Sequence, residues 1–266
     1  MLINYLNFWF SIPGVRTIIG LFEKEKYDIR FVGGCIRNAL LNNKSSEIDL
    51  AVNCNPNITS KILRENDISL LEYGKQYGTI TAVIEKKNFE ITSLRQDINP
   101  KGRYTEVVYT NDWYKDALRR DFTFNAINMN ARGGLEDYFQ GQSDLKSQQV
   151  RFIGDIEKRI QEDYLRIIRY FRFLGLFENL NLIEGYAEIL YKYLPQVRKH
   201  ISNDRIRIEL LKMLKNKFKL NSIVDSKNPG QFNILIKSIN NWWIEDQYEL
   251  GINKCMNKIN ELIVKQ

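Results

Sequence analysis

Along the first 27 residues the alternation of apolar and polar positions reads as helical, with a break at Pro13-Gly14. The pattern then shortens. Ile29-Arg30-Phe31-Val32 is a compact apolar run that predicts a strand, Gly33-Gly34 turns the chain, and Cys35 to Leu41 predicts a short helix carrying Arg37. A polar turn, Asn42 to Ser46, leads into Glu47-Ile48-Asp49-Leu50-Ala51-Val52, where acidic and apolar residues alternate as on a strand. Pro56 to Asn66 predicts a helix. Ile80 to Ile84 and Phe89 to Thr92 predict a hairpin about Lys86-Lys87-Asn88, entered through a turn at Tyr77-Gly78-Thr79. Arg95 to Arg103 contains Pro and Gly and reads as a loop, Thr105 to Tyr109 as a further strand, and Asn111-Asp112 as the cap of a helix ending at Leu118.

Near residue 141 the strand signals fade and helical spacing takes over. Helices are expected from Gly154-Asp155 to about Leu176, then over Leu182 to Tyr193, Asn203 to Leu214, Phe232 to Trp242 and Asn253 to Val264. This change divides the chain into an α/β head at 1–140, a helical neck at 141–219 and a short helical body at 220–266.

Candidate chemistry sits on the predicted turns and strand faces. Residues two apart on a strand share a face, so Glu47 and Asp49 project together. Two such carboxylates repel unless a cation lies between them, which makes the pair a candidate divalent-metal site. Backbone N–H groups of the Gly33-Gly34 turn suit an anion such as phosphate. A solvated acid pair beside an ordinary Gly turn is the alternative. Arg119-Arg120-Asp121 offers two guanidiniums and a carboxylate, which match either a triphosphate with its ribose or a surface ion-pair cluster. On one continuous helix, Asp163, Arg166 and Arg169 would share a sector of about 120°, with Arg172 further round. An Asp beside an Arg can match the Watson–Crick edge of a base, or simply form a salt bridge at helical spacing.

Charge sharpens the division. Residues 1–140 hold 18 Lys/Arg against 17 Asp/Glu, and residues 141–266 hold 21 against 15, giving the net +7. The excess peaks in residues 191–220, with nine basic and two acidic residues, among them Arg205, Lys212 and Lys215. A basic second half suits a polyanion such as RNA. Cys35, Cys54 and Cys255 show neither CxxC spacing nor even pairing, so neither a disulfide framework nor a zinc knuckle is indicated, and the single His200 cannot form a His-based metal site. No run approaches 18 apolar residues, and the apolar Leu2 to Phe10 lacks a basic flank and a cleavage-like site. It reads as a packing helix in a cytoplasmic protein.

Taken together, FVGGCIRNALL, EIDLAV, YGTITAV, FEITSLRQD, the DALRRDFTFNA block, DYFQGQSDL, VRFIGDIEKRIQEDYLRIIRYFRF and SNDRIRIELLKML resemble, in family order over about residues 29–215, the class II tRNA nucleotidyltransferases and related bacterial poly(A) polymerases. The flavour is alphaproteobacterial. The resemblance implies an α+β, polymerase-β-like head with a small mixed or antiparallel sheet, a helical neck, and addition of C, C and A to tRNA 3′ ends from CTP and ATP. By the same resemblance Glu47 and Asp49 would hold two Mg²⁺ ions, and Gly33, Gly34 and Arg37 would cradle the triphosphate. Arg119, Arg120 and Asp121 would meet phosphate and ribose. Asp163 and Arg166 would read the base, with Arg169 and Arg172 in support. The Arg95–Arg103 loop would aid the change from C to A addition, and Arg205, Lys212 and Lys215 would hold RNA.

Three features depart from the family pattern. Glu47 stands where Asp is usual, Asn38 replaces the Asp that follows Arg37, and only about 50 residues follow the last matching segment, implying a truncated body. CC-only, A-only and poly(A)-adding enzymes share the head motifs, and a non-catalytic RNA- or nucleotide-binding relative disabled at Glu47 is the reading outside the enzyme class.

Overall fold

The computed structural model describes residues 2–43, 47–101, 104–177 and 181–215. The predicted body at 220–266, with its two helices, lies outside them, as does Cys255. Two helices lead, α1 (Leu2–Ser11) and α2 (Val15–Lys24). They bury Trp9, Ile18 and Phe22 beneath the sheet, and Trp9 meets Phe31 at 4.9 Å between ring centroids. Strand β1 (Ile29–Val32) passes through Gly33 into α3 (Gly34–Leu40), and β2 (Asp49–Val52), α4 (Pro56–Glu65), β3 (Ser69–Leu71), β4 (Thr79–Ile84) and β5 (Lys87–Ser93) follow. After these come β6 (Arg95–Lys101), β7 (Tyr104–Tyr109), α5 (Trp113–Leu118), β8 (Asn128–Asn130) and β9 (Leu135–Glu136). The expected neck holds only helices among its described elements: α6 (Gly141–Lys146), α7 (Ile156–Glu162), α8 (Leu165–Leu174), α9 (Tyr186–His200) and α10 (Asn203–Lys215).

The main sheet has seven strands in the order β3-β4-β5-β2-β1-β8-β9, larger than the small sheet expected. Only β2 and β5 run parallel; the other pairs are antiparallel. The expected strand from Glu47 begins instead at Asp49. Phe31 pairs with Leu50, and beyond Val32 the chain leaves the sheet at Gly33 (φ 68°, ψ −124°), so Glu47 and Ile48 have no β1 partner. The alternation survives nonetheless, with Ile48 in the core and Glu47 and Asp49 on the cavity side. β3, β8 and β9, at two or three residues each, are too short to leave a periodic signal.

Three expectations are corrected. Arg95 to Lys101 is not a loop but the first strand of a hairpin with β7, its register shifting between Ile98 and Lys101. A ribbon of two strands leaves one edge of each free, and Pro100 is tolerated there. The helix expected over 154–176 is two helices. Asp163 is extended (φ −153°, ψ 106°), and its carboxylate accepts from the Leu165 N–H at 3.1 Å, restarting the chain as α8. Asp163 therefore shares no helix face with Arg166 and Arg169. The helix expected at 182–193 starts later, after left-handed Gly185, and continues through Pro195 to His200.

A single apolar core spans the expected boundary near residue 140. Phe122 and Phe124 each meet Phe173 of α8 at 5.3 Å, and the Phe122 backbone bridges to Phe152 across the residue-140 boundary.

Candidate active site

Residues from both sides of position 140 line an open cavity of about 1190 Å³, and every predicted metal- and nucleotide-site residue is among them. Its acidic wall is the sheet. Asp49 opens β2 and lies in register with Glu90 of the parallel strand β5. Burial lifts the Asp49 carboxyl above its usual range, Glu90 and Glu47 add to the rise, and Arg120 and Arg37 oppose it. The Gly33-Gly34 turn faces this carboxylate. A Cβ at Gly33 would stand 3.4 Å from Arg120 Nη1 and 3.8 Å from Asp49 Oδ2, and one at Gly34 would stand 3.7 Å from Arg37 Nη2. Bare backbone is thus placed beside a carboxylate and two guanidiniums.

The basic wall comes from α3, α5 and α8, and buried acids orient it. Asp116 accepts from Arg119 Nε and Nη2 at 2.9 and 2.8 Å through one oxygen, and from Arg120 Nη2 at 3.1 Å through the other. Burial alone would raise the Asp116 carboxyl, but Arg120 and Arg119 hold it below the usual range. Arg37 donates to Asn125 Oδ1 at 2.8 Å and to Asn38 Oδ1 at 3.0 Å. The side chain at 38 therefore orients Arg37 without neutralising it. Burial, with Arg172 and Arg169 nearby, lowers the Arg37 guanidinium to about 10, a site short of negative charge.

Asp121 is buried and accepts from Asn125 Nδ2 at 2.9 Å and from Arg169 Nε at 2.7 Å. Burial pushes its carboxyl up, and Arg169 and Asn125 overcome this, bringing it down to about 2. Beneath them lies the Phe173 ring, with Arg172, Arg37 and Arg169 guanidiniums at 4.1, 4.9 and 5.5 Å from its centroid.

The base-reading candidates adjoin the basic wall, Arg166 Nη2 donating to the Arg119 carbonyl at 3.4 Å. Arg166 Nη1 donates to Glu162 at 2.6 Å and to the Arg159 carbonyl at 2.7 Å. Arg205, expected to hold RNA, turns inward to Asp163 at 2.8 Å; Lys212 lines the cavity and pairs with Glu209 at 3.4 Å. The Lys215 side chain lies outside the described residues. Sequence reasoning missed Glu90, Asp116, Asn125, Phe173 and Glu209, of which all but Asp116 act on a partner far along the chain or across strands. Glu90 left a signal as an acid in the alternating strand FEIT, and Asp116 as an acid at helical spacing from Arg119 and Arg120.

The comparisons with known proteins bear on this geometry. Residues 29–151 match the family described as the poly A polymerase head domain. Over 211 residues the chain is 41% identical to the mitochondrial CCA tRNA nucleotidyltransferase 1 of Homo sapiens, covering 76% of this chain and 47% of that protein. The chain belongs to the CCA-adding enzyme and poly(A) polymerase family. It superposes on the Bacillus stearothermophilus CCA-adding enzyme in complex with CTP with a TM-score of 0.68 at 29% identity, covering 78% of this chain and 49% of that one. Against a CCA-adding enzyme in complex with ATP the TM-score is 0.65 at 25% identity, covering 82% and 49%. The chain thus spans about half the length of the relatives it matches. Among the described residues no helix is long and apolar enough to cross a membrane.

Proposed function

We propose that this chain is a template-independent nucleotidyltransferase that adds C, C and A to tRNA 3′ ends from CTP and ATP. The observation that carries the reading is the cavity itself. Glu47 and Asp49 line the same cavity as a glycine turn, a wall of oriented arginines, and Asp163 with Arg166. The reaction joins the RNA 3′-oxygen to the α-phosphorus, breaks the α–β phosphoanhydride bond and releases pyrophosphate.

The donor set fits Mg²⁺, a hard cation that prefers carboxylate and phosphate oxygens. Among the described residues no three acidic, His or Cys side chains converge as a cage, so phosphate and water oxygens would complete the shell around Glu47 and Asp49. When bound, Mg²⁺ supplies activation of the 3′-hydroxyl and charge neutralisation at the departing pyrophosphate. Glu47 carries one methylene more than the Asp of the family pattern, so its carboxylate reaches further.

The other roles fall to the protein. Arg37, Arg119 and Arg120 bind the triphosphate against the Gly33-Gly34 turn, and the Asp116 clamp keeps two of them aimed before it arrives. Asp121 anchors Arg169 beside the ribose, with Arg172 across Phe173. Cytosine and adenine both present an exocyclic amino donor where uracil and guanine present a carbonyl. A carboxylate at Asp163 accepts from the first pair and repels the second, while Arg166 donates to the neighbouring ring nitrogen. A reducing, cytoplasmic compartment suits Cys35 and Cys54, both buried free thiols.

The test is incorporation of labelled CTP and ATP, with Mg²⁺, onto tRNA transcripts ending before CCA, after C and after CC. Growth by C, C and A followed by arrest is expected. CC or A alone would mean divided labour, long A tails poly(A) synthesis, and nucleotide binding without incorporation a non-catalytic relative.

A further inference from the structure

We propose that Arg205 is a positioning residue for nucleotide selection, fixing the Asp163 carboxylate that reads the base; the inference rests on the base-reading role proposed above. Asp163 sits at the junction of α7 and α8 in extended backbone, outside either helix. A side chain at a junction takes no orientation from helical geometry, so something else must aim it. Two groups do. The Leu165 N–H donates to Oδ1 at 3.1 Å, and Arg205 Nη2 donates to Oδ2 at 2.8 Å. Only the second is a side chain, and it comes from α10, 42 residues away.

The placement of Arg205 is itself determined. Glu209 lies one turn along α10, on the same face, and is buried. It pairs with Arg172 Nε at 2.6 Å and Arg169 Nη1 at 3.3 Å, both from α8. Buried Ile206 and Leu210 pack the same helix against the neck. These contacts set the rotation of α10, so Arg205 faces Asp163 rather than solvent, and the two side chains are only 23% and 20% exposed. A residue whose task was to grip an RNA backbone would extend its guanidinium outward. A carboxylate held through one oxygen by Arg205 keeps lone pairs in a fixed direction for the amino group of cytosine or adenine. Released, it would swing, and its repulsion of a uracil or guanine carbonyl would lose direction.

The experiment uses the full chain and four nucleotides, CTP, ATP, UTP and GTP, with tRNA transcripts ending before CCA and after CC. Arg205→Ala, Arg205→Lys, Asp163→Ala and the double Ala variant are compared for kcat/KM per nucleotide and for tRNA affinity by gel shift. Expected is a loss of discrimination against UTP and GTP of about tenfold or more in Arg205→Ala, the size of a lost charge-assisted hydrogen bond. tRNA affinity stays unchanged, Arg205→Lys recovers part of the discrimination, and the double variant is no worse than Asp163→Ala. Selectivity intact in Arg205→Ala but altered in Asp163→Ala would overturn the proposal and leave the base-reading role standing, and weakened tRNA binding there would make Arg205 an RNA contact. Selectivity unchanged in both variants would remove the base-reading role itself. Should Arg205→Ala show no cooperative melt, Arg205→Met, which keeps the aliphatic stem without the charged donor, decides: discrimination equal to wild type overturns the positioning role.

Discussion

Asp49 lies opposite Glu90 across a parallel strand pair and two residues after Glu47, so its ionised form is crowded by like charge as well as desolvated. A carboxyl whose pKa is raised in the folded state binds its proton more readily there than in the unfolded chain. Its ionisation therefore costs stability, fully above the raised value and not at all below the unfolded value near 3.8. Asp49→Asn removes that cost. It is expected to raise the neutral-pH Tm of the metal-free protein, an advantage that vanishes in acid, while incorporation is lost. Mg²⁺ should raise the Tm of the parent protein and leave that of Asp49→Asn unmoved. A lower Tm for the variant at neutral pH, or full activity, would contradict the assignment. Asp121 carries the opposite sign. Held at about 2, it stabilises the fold above its unfolded value near 3.8, by roughly 2 kcal/mol. That contribution disappears as pH falls through about 2, and Tm measured against pH should show a shallower acid limb in Asp121→Asn.

At the scale of elements, α5 and α8 owe their function to how their ends are fixed. Arg119 and Arg120 close α5 and would splay by mutual repulsion, yet the Asp116 carboxylate three and four residues earlier binds both. Asp116→Ala leaves two guanidiniums without their buried counter-charge, which costs about 3–5 kcal/mol where a buried pair is broken. The expected result is a large fall in Tm together with a raised KM for both CTP and ATP, read from melts and steady-state kinetics. Asp116→Asn, which keeps one acceptor, should melt higher and keep the KM defect. Equal KM in the parent and Asp116→Asn would show that the clamp does not orient the arginines. The interruption between α7 and α8 follows the same logic, since Asp163 gains its inward aim by leaving the helix and capping the next one.

For the whole molecule, the decisive contact is Phe173. Its ring closes the core between head and neck against Phe122 and Phe124, and its other side supports three arginines of the cavity. Phe173→Leu preserves apolar volume but removes the ring. The expected outcome is a modest loss of stability, under about 1.5 kcal/mol if repacking succeeds, with a proportionately larger loss of kcat/KM for both nucleotides. A kinetic defect no larger than the stability change predicts would reduce Phe173 to packing alone.

The local pattern of the sequence carried the helices α1, α2 and α4, the β4–β5 hairpin, the capped α5 and the acidic strand face, because each depends on residues within a turn or a pair of neighbours. The glycine turn and the arginine-rich segments marked the candidate residues for the same reason. Tertiary structure alone decided the rest. Whether Arg95 to Lys101 is loop or strand depended on a partner strand, and the start of β2 on where β1 leaves the sheet. Asp163 departed from its expected helix because capping α8 and pairing with Arg205 outweighed continued periodicity. Glu90, Asn125, Phe173 and Glu209 drew their importance from side chains brought alongside by folding, whereas Asp116 meets Arg119 and Arg120 at helical spacing. Arg205 reads as one more cation in a basic run until α10 docks and turns it to the cavity. Charge and periodicity are local quantities; which carboxylate a guanidinium meets is set by packing between elements distant in the chain.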